Sequence, residues 1–167
     1  YYDEVEFVKI PHLLTLLSEN HDIALVSDSG TPLIADPGFK LLQASVKEGI
    51  KIIPIPGPSS PITALTVSAL PPNKFTFLGF LSVKNNKRLE LLNNIQMTIK
   101  SDSQTYIFLE APHRIEKTLG EMLQIFGDIE IVIARELTKI HEEVIRGNIS
   151  EIIENLKEIK GELVVLF

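Results

Sequence analysis

The residues most able to do chemistry gather where short apolar runs end. SDSGTPLIADPG (Ser27–Gly38) follows the apolar run IALV, and PIPGPSS (Pro54–Ser60) closes the run IKIIPI. TYIFLE ends on Glu110, with His113 and Arg114 close behind in EAPHR. IEIVIARE ends on Arg135 and Glu136, followed by Thr138 and Lys139. In open α/β sheets, ligands sit beyond the carboxyl ends of the strands, so four such exits together point to a site. Gly30 and Gly38 can take positive φ and let a ligand approach the backbone. The stretch is neither GxGxxG nor a P-loop with its lysine, so an ordinary dinucleotide or nucleoside triphosphate site is not indicated. Two readings of these loops stay open. Asp28 and Asp36 can cap turns while the prolines stiffen the chain. Alternatively, the free N–H groups of a helix opening at PGPSSP face a polar ligand group.

Other chemistries are not signalled. The histidines, His12, His21, His113 and His141, lack metal-ligand spacing, so no metal is expected. There is no nucleophile elbow and no evident triad. SVKNNKR places Lys84, Lys87 and Arg88 in a small basic loop, which Arg114, Arg135, Lys139 and Arg146 would extend if the fold gathers them.

The elements that must position these residues alternate between β-branched runs and helical periodicity. Ile10–Asn20 reads as a helix, Asp22–Ser27 as a strand, and Phe39–Glu48 as a helix stopped by Gly49. Ile50–Ile55 reads as a strand. Ser60 before Pro61 opens a helix that Pro71 and Pro72 end. Strand, helix, strand, helix is the pattern of a parallel α/β unit. The double proline predicts a boundary between a domain over 1–72 and a second over 73–167. The second half adds strands at Lys74–Phe80, Thr105–Glu110 and Ile129–Glu136, with another at EEVIRGNI and a last at ELVVLF. Its helices fall at about Leu89–Ile99, from Pro112 to Phe126, and Ser150–Ile159.

The 167 residues are 44% hydrophobic, enough for a real core, and carry a formal net charge of −6. Any nucleic-acid contact must therefore come from a local basic patch. With no cysteine, disulfides, thiolate metal sites and a cysteine nucleophile are excluded, and a cytoplasmic location fits. No apolar run is long enough to span a bilayer, so no membrane partner is expected. The chain opens on YYDEVEF without Met, which reads as the interior of a longer pattern.

Taken in order, SDSGTPLIADPG, PIPGPSSPITAL, FTFLGFL, EAPHR, ARELTK with HEE, and KGE resemble the tetrapyrrole methylase superfamily. Within it they resemble the branch that methylates the ribose 2′-hydroxyl of a cytidine in small-subunit ribosomal RNA. EAPHR and ARELTK separate this branch from the enzymes that methylate corrin precursors. The resemblance implies two α/β domains with the ligand cleft between them, S-adenosylmethionine as donor, ribosomal RNA as partner, and a homodimer. Members begin with a strand and a PIGNLGD-type loop that this chain does not show, so the first domain is expected to be N-terminally incomplete. A corrin-precursor methylase and a non-catalytic module binding donor or RNA are the alternatives.

The resemblance also implies roles. Asp28, Ser29, Gly30 and Thr31 would line the donor site, with Pro58, Ser59, Thr63 and Ala64 as its neighbouring wall. Phe80 and Leu81 would touch adenine, and Gly161 and Glu162 match the late donor-side motif. The RNA side would hold Glu110, His113, Arg114, Arg135, Glu136, Thr138 and Lys139, with Lys84, Lys87 and Arg88 gripping phosphate. The hydroxyl's proton would pass to Glu110, His113, Glu136 or a neutral Lys139.

Overall fold

A computed structural model describes residues 6–99, 103–156 and 159–167. By its internal contacts the chain forms two compact units, Tyr1–Ser59 and Ser60–Phe167. The double proline lies inside the second unit, just after a helix that packs on that unit's sheet.

The first unit contains two helices, α1 (Glu6–Ser18) and α2 (Phe39–Lys47). Both end in the same way. Asn20 and Gly49 take φ of 63° and 71°, and the following residues, His21 and Ile50, donate their N–H groups back to Leu16 and Ser45. Such a left-handed residue satisfies the last carbonyls of a helix and stops it. Packing across the pair includes the Lys40 ammonium 4.3 Å from the Phe7 ring centre. The strands expected at Asp22–Ser27 and Ile50–Ile55 are not formed, which corrects the parallel unit predicted for the first half. A strand exists only through ladder bonds to a neighbour, and among the described residues neither segment enters a sheet. Val26 and Ile55 stay exposed.

The second unit is built on a five-stranded mixed sheet. Its strands are β1 (Phe75–Phe80), β2 (Thr105–Glu110), β3 (Glu130–Arg135), β4 (Glu143–Asn148) and β5 (Leu163–Leu166), in the order β1-β2-β5-β3-β4. β1 and β2 are parallel; the remaining pairs are antiparallel. Strand alternation sorts the core into two layers. Tyr106, Phe108, Ile131, Ile133, Leu163 and Val165 bury against α4 (Asn85–Thr98), α5 (Ile115–Phe126) and α6 (Ile149–Asn155). Ile107, Val132, Ala134, Val164 and Leu166 bury against α3 (Ser60–Ser68) through Ala64 and Leu65. Helices on both faces explain why β5 is buried at every position.

The α/β class is as expected, and the strands and helices of the second half lie close to their predicted places, except that the last helix, expected to reach Ile159, ends at Asn155, with 157–158 outside the described residues. One difference matters for the site: α4 opens at Asn85, four residues before Leu89. Most of the expected basic loop is therefore the first turn of a helix, with Arg88 on its buried side.

Candidate active site

In the first unit, SDSGTP forms a tight exposed turn. Gly30 has φ of 73°, and the Ser27 hydroxyl donates to its carbonyl at 3.0 Å. The Thr31 hydroxyl donates to the Pro58 carbonyl at 2.7 Å, so the turn is tied to the PGPSS loop. Asp28, Ser29, Gly30 and Pro58 are exposed, and Thr31 and Ser59 half-buried. Gly38, at φ of 124°, does a different job. A Cβ there would lie 2.7 Å from Leu25 Cδ2 and 2.9 Å from Leu33 Cδ2, so this glycine permits close packing under the loop.

In the second unit, the exit of β2 is a buried ion-pair cluster. The Glu110 side chain is fully buried. Oε1 accepts from the Ala111 N–H at 2.8 Å and lies 3.1 Å from Arg114 Nε; Oε2 accepts from the Thr118 hydroxyl at 2.7 Å. Arg114 Nη2 also donates to the Leu81 carbonyl at 2.8 Å. With its oxygens committed to these donors, Glu110 holds the 3-10 turn Pro112–Arg114 and the start of α5.

Arg88 makes a second cluster. It is 2% exposed, and its Nε and Nη2 donate to the two oxygens of Glu121, each at 2.6 Å. Nη1 donates to the Ser82 carbonyl at 2.9 Å and Nη2 to Asn85 Oδ1 at 2.8 Å. The Glu121 hydrogen bond raises the Arg88 pKa against the opposing effect of burial, with the Glu121 and Glu110 charges adding to the rise. Arg88, buried and bonded to Glu121, Ser82 and Asn85, is therefore not presented to phosphate, a correction to its expected role. Lys84 and Lys87 are exposed.

At the β3 exit, ARELTK and KGE are fastened together. Glu136 Oε1 accepts from the Glu162 N–H at 2.9 Å, while the Glu136 N–H donates to the Glu162 carbonyl at 3.0 Å. Lys139 Nζ lies 3.0 Å from both Glu136 Oε1 and Glu162 Oε2. Arg135 Nε donates to the Lys160 carbonyl at 2.8 Å, and Nη1 pairs with Glu143 at 2.9 Å. A side chain at position 161 would be strained, since φ there is 95° and an added Cβ would meet the Glu136 side chain. Thr138, at φ of 66°, gives its N–H to Glu142 Oε2 at 2.6 Å.

These bonds decide the protonation states. The Glu162 N–H, then Lys139, hold the Glu136 carboxyl below its ordinary range. Glu162 and Glu136 together push Lys139 up, so a neutral Lys139 base does not match this arrangement. The Glu136 contribution to stability is complete above its unfolded pKa of about 4.3 and is lost as pH falls through the lower folded value. Glu136→Gln should therefore be less stable than the wild type near neutral pH. The gap should close under acid, read from paired denaturant titrations across pH.

Of the four expected proton acceptors, His113 alone is held by no hydrogen bond or ion pair among the described residues. It is exposed on an open cavity of about 580 Å³ lined with Pro112, Ile115, Glu116, Leu156, Ile159, Lys160 and Gly161. The cavity joins EAPHR to KGE, motifs far apart in the chain. The remaining expected residues divide by exposure. Thr63 is half-buried, Phe80 is 58% exposed, and Glu162 is exposed. Ala64 and Leu81 are buried in the core, where their side chains pack against the protein itself. Sequence reasoning missed Glu121 and Thr118. Their helical spacing beside Ile115, Leu119 and Met122 marks them as facing inward, but nothing local names Arg88 and Glu110 as their partners.

Comparisons with known proteins bear on this geometry. The tetrapyrrole (corrin/porphyrin) methylase profile matches residues 4–153. A ribosomal RNA small subunit methyltransferase I from Hydrogenobaculum sp. is 46% identical over 169 residues, covering 99% of this chain and 71% of the relative. One of the same name from Thermotoga maritima is 40% identical over 160 residues, covering 95% and 70%. The structure of uroporphyrin-III C-methyl transferase from Thermus thermophilus, complexed with S-adenosyl homocysteine, aligns with a TM-score of 0.63 at 15% identity, covering 99% of this chain and 74% of that one. The chain belongs to the tetrapyrrole (corrin/porphyrin) methylase family and, within it, to the ribosomal RNA small subunit methyltransferase I group.

Proposed function

We propose that the protein uses S-adenosylmethionine to methylate the ribose 2′-hydroxyl of a cytidine in small-subunit ribosomal RNA. The observation that carries this reading is the 46% identity, across 99% of the chain, to a methyltransferase named for that RNA. The reading includes a homodimer, which the resemblance implies, and a cytoplasmic location, which a chain without cysteine fits.

The residues present fit the polar part of the donor. The tied loops offer one carboxylate, Asp28, the hydroxyl of Ser29, and glycine backbone at Gly30, all exposed. That set suits a ligand carrying an ammonium group and ribose hydroxyls. Thr31, Pro58 and Ser59 shape the loops. Within the second unit, taken by itself, the Phe80 ring and Glu162 are exposed and Thr63 is half-buried. When bound, S-adenosylmethionine supplies a methyl already activated on a sulfonium.

The protein's own task is to orient the RNA hydroxyl, exclude water and receive a proton. Positioning of this kind contributes roughly 7–11 kcal/mol to such reactions. We assign the proton to His113, because Glu110, Glu136 and Lys139 are committed to hydrogen bonds and ion pairs. Arg135 holds one wall of the His113 cavity through the Lys160 carbonyl, Lys139 and Thr138 belong to the RNA side, and Lys84 and Lys87 grip phosphate. His113→Gln should lower kcat about 10²–10⁴-fold, with little change in KM for RNA. A His113→Gln enzyme with wild-type kcat would remove the base from this reading. Failure of the wild type to methylate RNA would overturn the reading as a whole.

A further inference from the structure

Two arginines, Arg88 buried and Arg114 half-buried, converge on one short segment. Arg114, anchored on Glu110, donates to the Leu81 carbonyl; Arg88, anchored on Glu121, donates to the next carbonyl, Ser82. Arg88 reaches past Lys84 to Asn85 Oδ1, and the Ser82 hydroxyl accepts from the Lys84 N–H at 3.2 Å. Lys84 is thus bracketed on both sides by groups that Arg88 holds. Above the clamp, Val83 is 75% exposed, and Lys84, Asn86 and Lys87 face solvent. The first turn of α4 contains no acidic residue to oppose an anion.

Burying two ion pairs beneath a surface loop makes a poor device for stability alone, because desolvation offsets much of the attraction. Its distinctive product is a fixed loop. We infer that Arg88 and Arg114 are positioning residues, which hold Leu81–Lys87 in a pre-shaped grip for the phosphodiester backbone of RNA. The inference rests on the RNA reading above and adds to it. The contacts come from Lys84 and Lys87, and the affinity depends on the arginines underneath without their touching phosphate. Fixing a cationic side chain before binding removes an ordering cost that the complex would otherwise bear.

The test measures RNA affinity over a salt series for four proteins, with binding of S-adenosylhomocysteine as a check that each is folded. Lys84→Gln with Lys87→Gln should flatten the log–log salt slope by about 1.4, at roughly 0.7 per lost contact to single-stranded RNA. Arg88→Met with Glu121→Met replaces the pair by apolar groups of similar size. It should weaken RNA binding about tenfold at every salt concentration while the slope stays at the wild-type value. Asn85→Ala cuts one tether and keeps the ion pair; it should lose about threefold, again with an unchanged slope, and carries the test if the double replacement does not fold. A slope reduced by about 0.7 in the Met pair would make Arg88 a direct phosphate contact and overturn the inference. Unchanged affinity in both Arg88→Met/Glu121→Met and Asn85→Ala would overturn it equally. Wild-type protein that binds no RNA would instead remove the RNA reading, and the inference with it.

Discussion

Arg88→Ala should destabilise the protein by about 3–5 kcal/mol, among the largest losses any single substitution here can cause. The reason is what remains behind. Glu121, 12% exposed, would be left as a carboxylate without its bidentate partner, and the Ser82 carbonyl and Asn85 side chain would each lose a donor. The same pair removed together leaves no orphaned charge, so Arg88→Ala with Glu121→Ala should cost much less than the sum of the two single changes. Denaturant unfolding of the four proteins gives the coupling directly. A loss below about 1 kcal/mol for Arg88→Ala is the behaviour of an exposed ion pair and would contradict the buried arrangement.

Glu110→Ala should be comparably damaging, again by about 3–5 kcal/mol. Its carboxylate collects the Ala111 N–H, the Thr118 hydroxyl and the Arg114 guanidinium inside the core. Removing it strands a cation that is 17% exposed and two neutral donors, and releases the Arg114 contact to Leu81. Thermal or denaturant unfolding reads the effect. If Glu110 were instead a proton acceptor without structural work, Glu110→Gln would fold with wild-type stability and lose turnover alone.

These two residues also show how far a sequence can be read. The α/β class, the second-half strands and the helix stops at Gly49 and before Pro71 follow from local rules: period-two apolar runs, left-handed glycine and proline chemistry. The EAPHR and ARELTK motifs were recognisable as special for the same reason, as charges clustered at strand exits. What those charges do was not recognisable. Whether Arg88 meets phosphate or Glu121 depends on a partner 33 residues away and on the turn of α4 that faces the core. Gly161 and Glu136 make the same point, since a side chain from one motif takes the space that a Cβ in the other would need. The first-half strands failed for a related reason. IALV and IKIIPI have strand composition, but pairing is a property of two segments, and among the described residues neither joins a sheet.

The functional roles sort along the same line. Charged groups at the exits of β1 and β2 are tied up in shaping the loops, while His113, Lys84 and Lys87 stay exposed and are the groups that the proposed function assigns to RNA. The most direct test of this account is methyl transfer itself. The protein would be given S-adenosylmethionine labelled in the methyl group together with small-subunit ribosomal RNA, free and assembled into subunits. The label would then be located by alkaline hydrolysis and nucleoside analysis. The account predicts label on the ribose of a single cytidine, visible as an alkali-resistant dinucleotide. Label on a base, label on a tetrapyrrole precursor in preference to RNA, or no transfer to RNA in either form would contradict it.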